Sequence, residues 1–245
     1  MSTDRLSAIA AKLVAARTAG ARITLVDAPK TFEEGFAVQD KVVAALGSPV
    51  MGWKVIEMPN GGPVIYAPLL ESGRVPAGGT WSVKGSEPAG IELEIAFRMA
   101  RDVPKGATGS SVLDCVGAGH VVFELCQSRN ANPDSVPRHV AVADCILNSG
   151  IMVGPEIANW RKQEHKSRPG RLFVDGKVHI EGKSVDPFRA LEVLAPALAA
   201  HGKQLKAGQI VITGSLIGMN WLHGSHDIRG VIDGFGEVQG RVARA

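Results

Sequence analysis

The apolar positions of the chain follow two different periods, and the change between them falls near residue 50. Over residues 3–19, Leu6, Ile9, Ala10 and Leu13 recur at three- and four-residue intervals, which sets them on one helical face, and Gly20 supplies a stop. Thr31-Phe32-Glu33-Glu34 has the form of a capping box and predicts a second helix, with Phe36, Val42, Val43 and Leu46 as its apolar positions and Gly47 closing it. From residue 50 onward, short β-like runs separated by Gly and Pro take over, at 52–56, 91–99, 120–125, 171–174, 210–213 and 237–242. Asp175-Gly176 reads as a hairpin turn. One late helix interrupts the pattern, with Asp186 as N-cap, Pro187 at the first helical position and Leu191, Leu194 and Leu198 facing inward before Gly202. The expectation is an α+β fold in which a small helical unit, 1–49, packs on a β-rich domain, 50–245.

One predicted strand carries an anomaly. In Ile91-Glu92-Leu93-Glu94-Ile95-Ala96-Phe97 the two glutamates are two residues apart, so both carboxylates lie on one face while Ile91, Leu93, Ile95 and Phe97 occupy the other. A buried carboxylate must be paired, metal-bound or protonated. Val121-Val122-Phe123-Glu124-Leu125 holds a third, and three carboxylates from two strands form an oxygen-rich set suited to a hard divalent ion such as Mg²⁺ or Mn²⁺. The alternative for such a short pattern is ordinary strand-end or edge-strand charge.

Composition narrows the remaining classes. The 245 residues are 45% hydrophobic, enough for a sizeable core. No apolar run approaches the roughly 18–20 residues of a membrane helix, and Asp4, Arg5 and Lys12 interrupt the start where a signal peptide needs its apolar segment. The expected location is the cytoplasm, with no membrane partner. Cys115, Cys126 and Cys145 lack the spacing of a zinc site or a disulfide framework and read as small buried thiols. A net charge of +3 with scattered Lys and Arg gives no case for a nucleic-acid partner, and the one basic cluster, Arg161 to Arg168, reads as a solvated loop. His223 and His226 are three apart in a Gly-rich stretch and read as surface histidines.

Met51-Gly52-Trp53-Lys54-Val55, then the Glu92/Glu94 strand, then Phe123-Glu124-Leu125-Cys126-Gln127-Ser128-Arg129 resemble, in order and spacing, the 2-keto-4-pentenoate hydratase and 4-oxalocrotonate decarboxylase branch of the fumarylacetoacetate hydrolase superfamily. Residues 205–216, ending in Thr213-Gly214-Ser215-Leu216, and Asp233-Gly234-Phe235-Gly236 are similar to that family's Gly-Ser loop and C-terminal turn. The resemblance covers about residues 50–242 and implies a mixed β-roll with flanking helices, assembled as a homo-oligomer. It implies that Glu92, Glu94 and Glu124 ligate Mg²⁺ or Mn²⁺, and that the substrate is a small 2-oxo acid or its dienol. A metal held on the 1-carboxylate and 2-oxygen would stabilise an enolate. Lys54 would stand beside that enolate, either as a cationic stabiliser or, with a pKa lowered by burial, as a proton shuttle. Thr213, Gly214 and Ser215 would offer backbone N–H groups and hydroxyls to a carboxylate, the alternative being an ordinary strand-ending turn.

Two stretches depart from the family pattern. The loop after the lysine, Asn60 to Pro68, has no aspartate, leaving Glu57 and Tyr66 as the nearest acid and phenol. At 142–150, Asn148 and Ser149 sit near an expected polar, substrate-binding position but out of register. The expected activity is that of a metal-dependent lyase of aromatic catabolism, first as a 2-hydroxypenta-2,4-dienoate hydratase and second as a 2-oxo-3-enedioate decarboxylase. Loss of the loop aspartate moves weight toward decarboxylation, and a non-catalytic relative that binds a 2-oxo acid is the third reading.

Overall fold

The computed structural model describes residues 2–245. Helices α1 (Ser2–Ala19) and α2 (Phe32–Leu46) open the chain, and both ends of α2 follow the expected chemistry. The Thr31 hydroxyl accepts from the Glu34 N–H at 3.2 Å, and Gly47 takes the left-handed conformation that only glycine adopts without cost. There follow β1 (Val50–Glu57), β2 (Val64–Leu70), β3 (Arg74–Pro76), β4 (Thr80–Val83) and β5 (Ala89–Met99), then the short helix α3 (Ser110–Leu113) and β6 (Val116–Cys126). Helix α4 (Arg138–Ala143) leads into β7 (Asn148–Glu156), and β8 (Pro169–Val174) and β9 (Lys177–Lys183) form the hairpin around Asp175-Gly176. Helix α5 (Pro187–Ala200) begins where predicted, with the Asp186 carboxylate accepting from Phe188 N–H at 3.1 Å. The chain ends in β10 (Ile210–Ser215), β11 (Asn220–Leu222), β12 (His226–Ile232) and β13 (Gly236–Arg244).

The strands form two mixed sheets. The larger runs β2-β1-β10-β5-β6-β7-β3, with β11 also paired to β5, and the smaller runs β4-β13-β12-β8-β9. Strand β2 was not predicted from the sequence because Pro68 sits in its middle; it is tolerated where the strand pairs with β1 alone. The larger sheet is curled into a half-barrel. Leu69 of β2 and Ile151 of β7, with four strands between them in the sheet order, belong to one buried cluster on the concave face, together with Met51, Ala96, Val122, Ile210 and Ile212.

The convex face carries the main core. Leu93, Phe97, Phe123 and Leu125 are fully buried there, in one cluster with Leu172, Ile228, Ile232 and Val238 of the smaller sheet and with Leu13 and Phe36 of the N-terminal helices. The two sheets meet closely at Gly230 of β12, where an added Cβ would lie 2.4 Å from Leu93 Cδ1 and 2.8 Å from the Phe123 ring. Gly230→Ala is therefore expected to destabilise the protein by about 1–3 kcal/mol through overpacking, read as a lower midpoint in thermal unfolding. An unchanged midpoint would mean that the sheets separate freely there.

Candidate active site

Strand periodicity places Glu92 and Glu94 on the concave face of β5 beside Ala96, opposite Ile91, Leu93, Ile95 and Phe97 on the convex face. The antiparallel register of β5 and β6 sets Glu92 directly across from Glu124, while β10 brings Ser215 level with Glu94. Lys54 lies on β1, beside Ile212 of β10, and reaches across the concavity. Its Nζ donates to both oxygens of Glu124, at 2.6 and 2.7 Å, and to the carbonyl oxygen of Ile146 at 3.0 Å. Asn148 Nδ2 donates to Glu124 Oε1 at 2.9 Å. Lys54, Glu94 and Glu124 are 6, 2 and 0% exposed, so this is charge held in the floor of the half-barrel and not an edge pattern.

Burial raises the cost of the second and third negative charge. Burial and the neighbouring Glu124 push the Glu92 carboxyl up to about 7, and the same two causes, with Glu92 added, push Glu94 well above the usual carboxylate range. Burial also works against the charge of Lys54, but the facing Glu124 outweighs it and holds the lysine above its ordinary value. The proton-shuttle alternative requires burial to prevail, and in the metal-free site the facing Glu124 outweighs it.

The carbonyl facing Lys54 is placed by strained backbone. Cys145, Ile146 and Leu147 all have positive φ, at 50°, 48° and 68°, and each non-glycine residue in that region costs about 1–2 kcal/mol. A buried ion pair beneath them supplies the restraint. The Asp144 carboxylate accepts from the Arg129 Nε and from the Arg129 backbone N–H, while Arg129 Nη2 donates to the carbonyls of Asp144 and Asn148 at 2.9 and 3.2 Å. Sequence reasoning named the stretches that hold Arg129 and Asp144 without recognising this pair, which depends on two segments 15 residues apart folding onto each other.

A cavity of about 450 Å³ opens above the lysine and is walled by Lys54, Glu92, Asn130, Arg138, Ile146 and Trp221, among others. The other expected residues take different positions. Thr213 Oγ1 donates to the Ile95 carbonyl at 2.7 Å, and Ser215 Oγ to the Gly218 carbonyl at 3.1 Å. Gly214 N–H does meet a carboxylate, but it is that of Glu94, at 2.7 Å. Asn148 serves Glu124, and Ser149 accepts from Arg129 Nη1 on the side away from the cavity. Neither candidate for the missing loop acid reaches the cavity wall. Glu57 forms a two-pronged pair with Arg189 at the surface, and Tyr66 is fully buried against Phe36 and Trp53.

The donor set fits a divalent cation. Three carboxyl groups face one ammonium, and the burial and mutual repulsion that hold Glu92 and Glu94 toward their protonated forms are what a divalent ion would relieve. Donor atoms of Glu92, Glu124 and Cys126 lie within 4.8 Å of one another. Of these, Cys126 is a poor ligand, because burial and Glu124 raise its pKa and keep the thiol protonated. Glu94, one face-step along β5, is the better third oxygen donor, although its Oε2 is engaged by Gly214 as the side chain stands.

Comparison with known proteins agrees with this geometry at the level of fold. No protein-family profile matches the sequence. Among solved structures, 4-oxalocrotonate decarboxylase from Pseudomonas putida G7, complexed with magnesium and adipate, superposes with a TM-score of 0.87 over 98% of this chain and 97% of that one, at 21% identity. A fumarylpyruvate hydrolase assignment from Burkholderia cenocepacia aligns over 79% of this chain and 88% of that one (TM-score 0.59, 19% identity). A 2-hydroxyhepta-2,4-diene-1,7-dioate isomerase from Mycobacterium marinum aligns over 80% and 77% (TM-score 0.61, 16% identity). The chain thus shares the α+β fold of these solved enzymes, a fold of the kind that its sequence resemblance implied.

Proposed function

We propose that the protein is a divalent-metal-dependent lyase of the fumarylacetoacetate hydrolase superfamily acting on a 2-oxo acid, with decarboxylation of a 2-oxo-3-enedioate as the reaction the site supports best. The observation that carries this reading is that Glu92 and Glu94 share one face of β5 beside the buried Lys54–Glu124 pair, with Lys54 and Glu92 on the wall of one cavity. Glu92, Glu94 and Glu124 would hold Mg²⁺ or Mn²⁺. The bound ion would act as a Lewis acid toward the 1-carboxylate and 2-oxygen of the substrate.

The chain's own groups then divide the remaining work. Lys54, kept charged by Glu124, supplies a fixed positive charge where negative charge gathers on the substrate oxygen. Ile146 O and the Glu124 contact that remains once the ion is held would fix the direction of its Nζ, leaving one N–H for the substrate oxygen. Trp221, Met219 and Val136 give the cavity apolar wall that limits water. Arg138 stands on the same wall, where its guanidinium can meet a second, distal carboxylate.

Two features move the reading from hydration, placed first on the sequence, to decarboxylation. Water addition needs an acid or base at the dienol carbon, and the cavity wall offers no titratable group besides Lys54, Glu92 and Arg138 among the described residues. The solved decarboxylase of the same fold holds adipate, a six-carbon dicarboxylate. The test is ultraviolet-monitored consumption of 2-oxohex-3-enedioate and 2-hydroxypenta-2,4-dienoate by chelator-stripped protein, with and without Mg²⁺ or Mn²⁺, and product mass. Metal-dependent loss of carbon dioxide from the first is expected. Gain of water by the second would restore the hydratase, and silence on both in metal-loaded protein would leave the non-catalytic reading.

A further inference from the structure

A second cavity, also about 450 Å³, is lined by Ser149 and by Asn148, the residue that also bonds Glu124. Its wall carries Arg17, Arg74 and Lys84 and no acidic side chain among the described residues. Arg74 is already committed to Glu71, with its Nε 2.5 Å and its Nη2 2.9 Å from that carboxylate. The other two cations have no such partner. Lys84 Nζ meets only the Thr18 carbonyl, at 3.4 Å.

Arg17 is the sharper case. Its side chain is only partly exposed, its Nη2 is sealed from solvent without any hydrogen-bond partner, and no carboxylate pairs with it among the described residues. The nearby carboxylate, Asp144, is taken by Arg129, so two guanidinium groups share one negative charge. A guanidinium nitrogen sealed from solvent without an acceptor is costly, and the usual remedy is an anion with geometry to accept from it. Around it stand hydroxyl donors at Ser72, Ser82 and Ser149, the last fixed by Arg129 Nη1 at 2.7 Å and left with its own hydrogen to give.

We propose that this second cavity binds a small oxyanion, a carboxylate or phosphate group held by Arg17 and Lys84 with the serine hydroxyls. The anion is either a free small molecule or an acidic side chain of a second copy of this chain. Both supply the same chemistry, and one experiment separates them. Chelator-stripped full-length protein is unfolded thermally in chloride and in inorganic phosphate at equal ionic strength, and its assembly size is measured by light scattering.

With a free anion as the occupant, the unfolding midpoint rises with the logarithm of phosphate concentration. Arg17→Met then abolishes the response while leaving the midpoint in chloride equal to or above that of the parent, because a sealed nitrogen without an acceptor is gone. Lys84→Gln, a surface change that spares the core, weakens the response about tenfold in phosphate concentration. With a second copy as the source, phosphate has no effect on the parent, and Arg17→Met and Lys84→Gln both reduce the assembly size. A phosphate response that survives both substitutions, or no phosphate response together with unchanged assembly, would overturn the proposal.

Discussion

Lys54→Met is expected to slow turnover by about 10²–10³-fold, the usual loss when one preorganised electrostatic contact to a developing oxyanion is removed. Metal affinity should stay within a few-fold of the parent, since the lysine is assigned to the substrate oxygen and not to the ion. The same substitution has a second, separable effect on stability. Glu124 is fully buried and takes both of its short contacts from Lys54, so the metal-free variant keeps a carboxylate whose main partner is gone. Breaking a buried pair on one side costs about 3–5 kcal/mol. Thermal unfolding of stripped protein should show that loss, and with affinity nearly unchanged Mg²⁺ should raise the midpoints of parent and variant by similar amounts. Unchanged turnover in Lys54→Met would remove the lysine from the chemistry, whatever its effect on folding.

The second large effect concerns the carboxylates. Glu92→Gln and Glu124→Gln are each expected to weaken Mn²⁺ binding by about 100-fold or more, beyond the losses typical of groups that only orient a ligand. Activity should fall in parallel. Cys126→Ala provides the contrast. Its sulfur lies within reach of the same two glutamates, but a protonated thiol is a poor ligand for a hard ion, so affinity should be unchanged. Calorimetric titration of stripped protein reads all three. Normal affinity in both glutamate variants would dismiss the site, and a large loss in Cys126→Ala would replace Glu94 by the thiol in the donor set.

Much of this site was legible because strand periodicity is strict. A spacing of two residues is enough to put Glu92 and Glu94 on one face, and the apolar residues between them state that the other face is buried. The capped helices were equally plain, since Thr31, Gly47 and Asp186 act within a few residues of themselves. What periodicity does not encode is which strands become neighbours. The pairing of Glu92 with Glu124 follows from β5 and β6 being adjacent, and the approach of Lys54 follows from the insertion of β10 between β1 and β5.

The turn at 145–147 was the least legible part. Nothing in Cys-Ile-Leu suggests left-handed backbone, which a β-branched residue resists, and the conformation exists because Arg129 and Asp144 hold it from below. Likewise Thr213 and Ser215 carry donors suited to a substrate, yet the surrounding strand ends take those donors first.

The central claim is that a divalent ion sits among Glu92, Glu94 and Glu124, and the most direct measurement is anomalous scattering from crystals of stripped protein soaked in Mn²⁺. The account predicts one strong peak at ligand distance, about 2.0–2.2 Å, from carboxylate oxygens of all three. It also predicts that Glu124 has released at least one of its contacts with Lys54. A crystal in which the Lys54–Glu124 pair is intact and the only peaks lie elsewhere would contradict it.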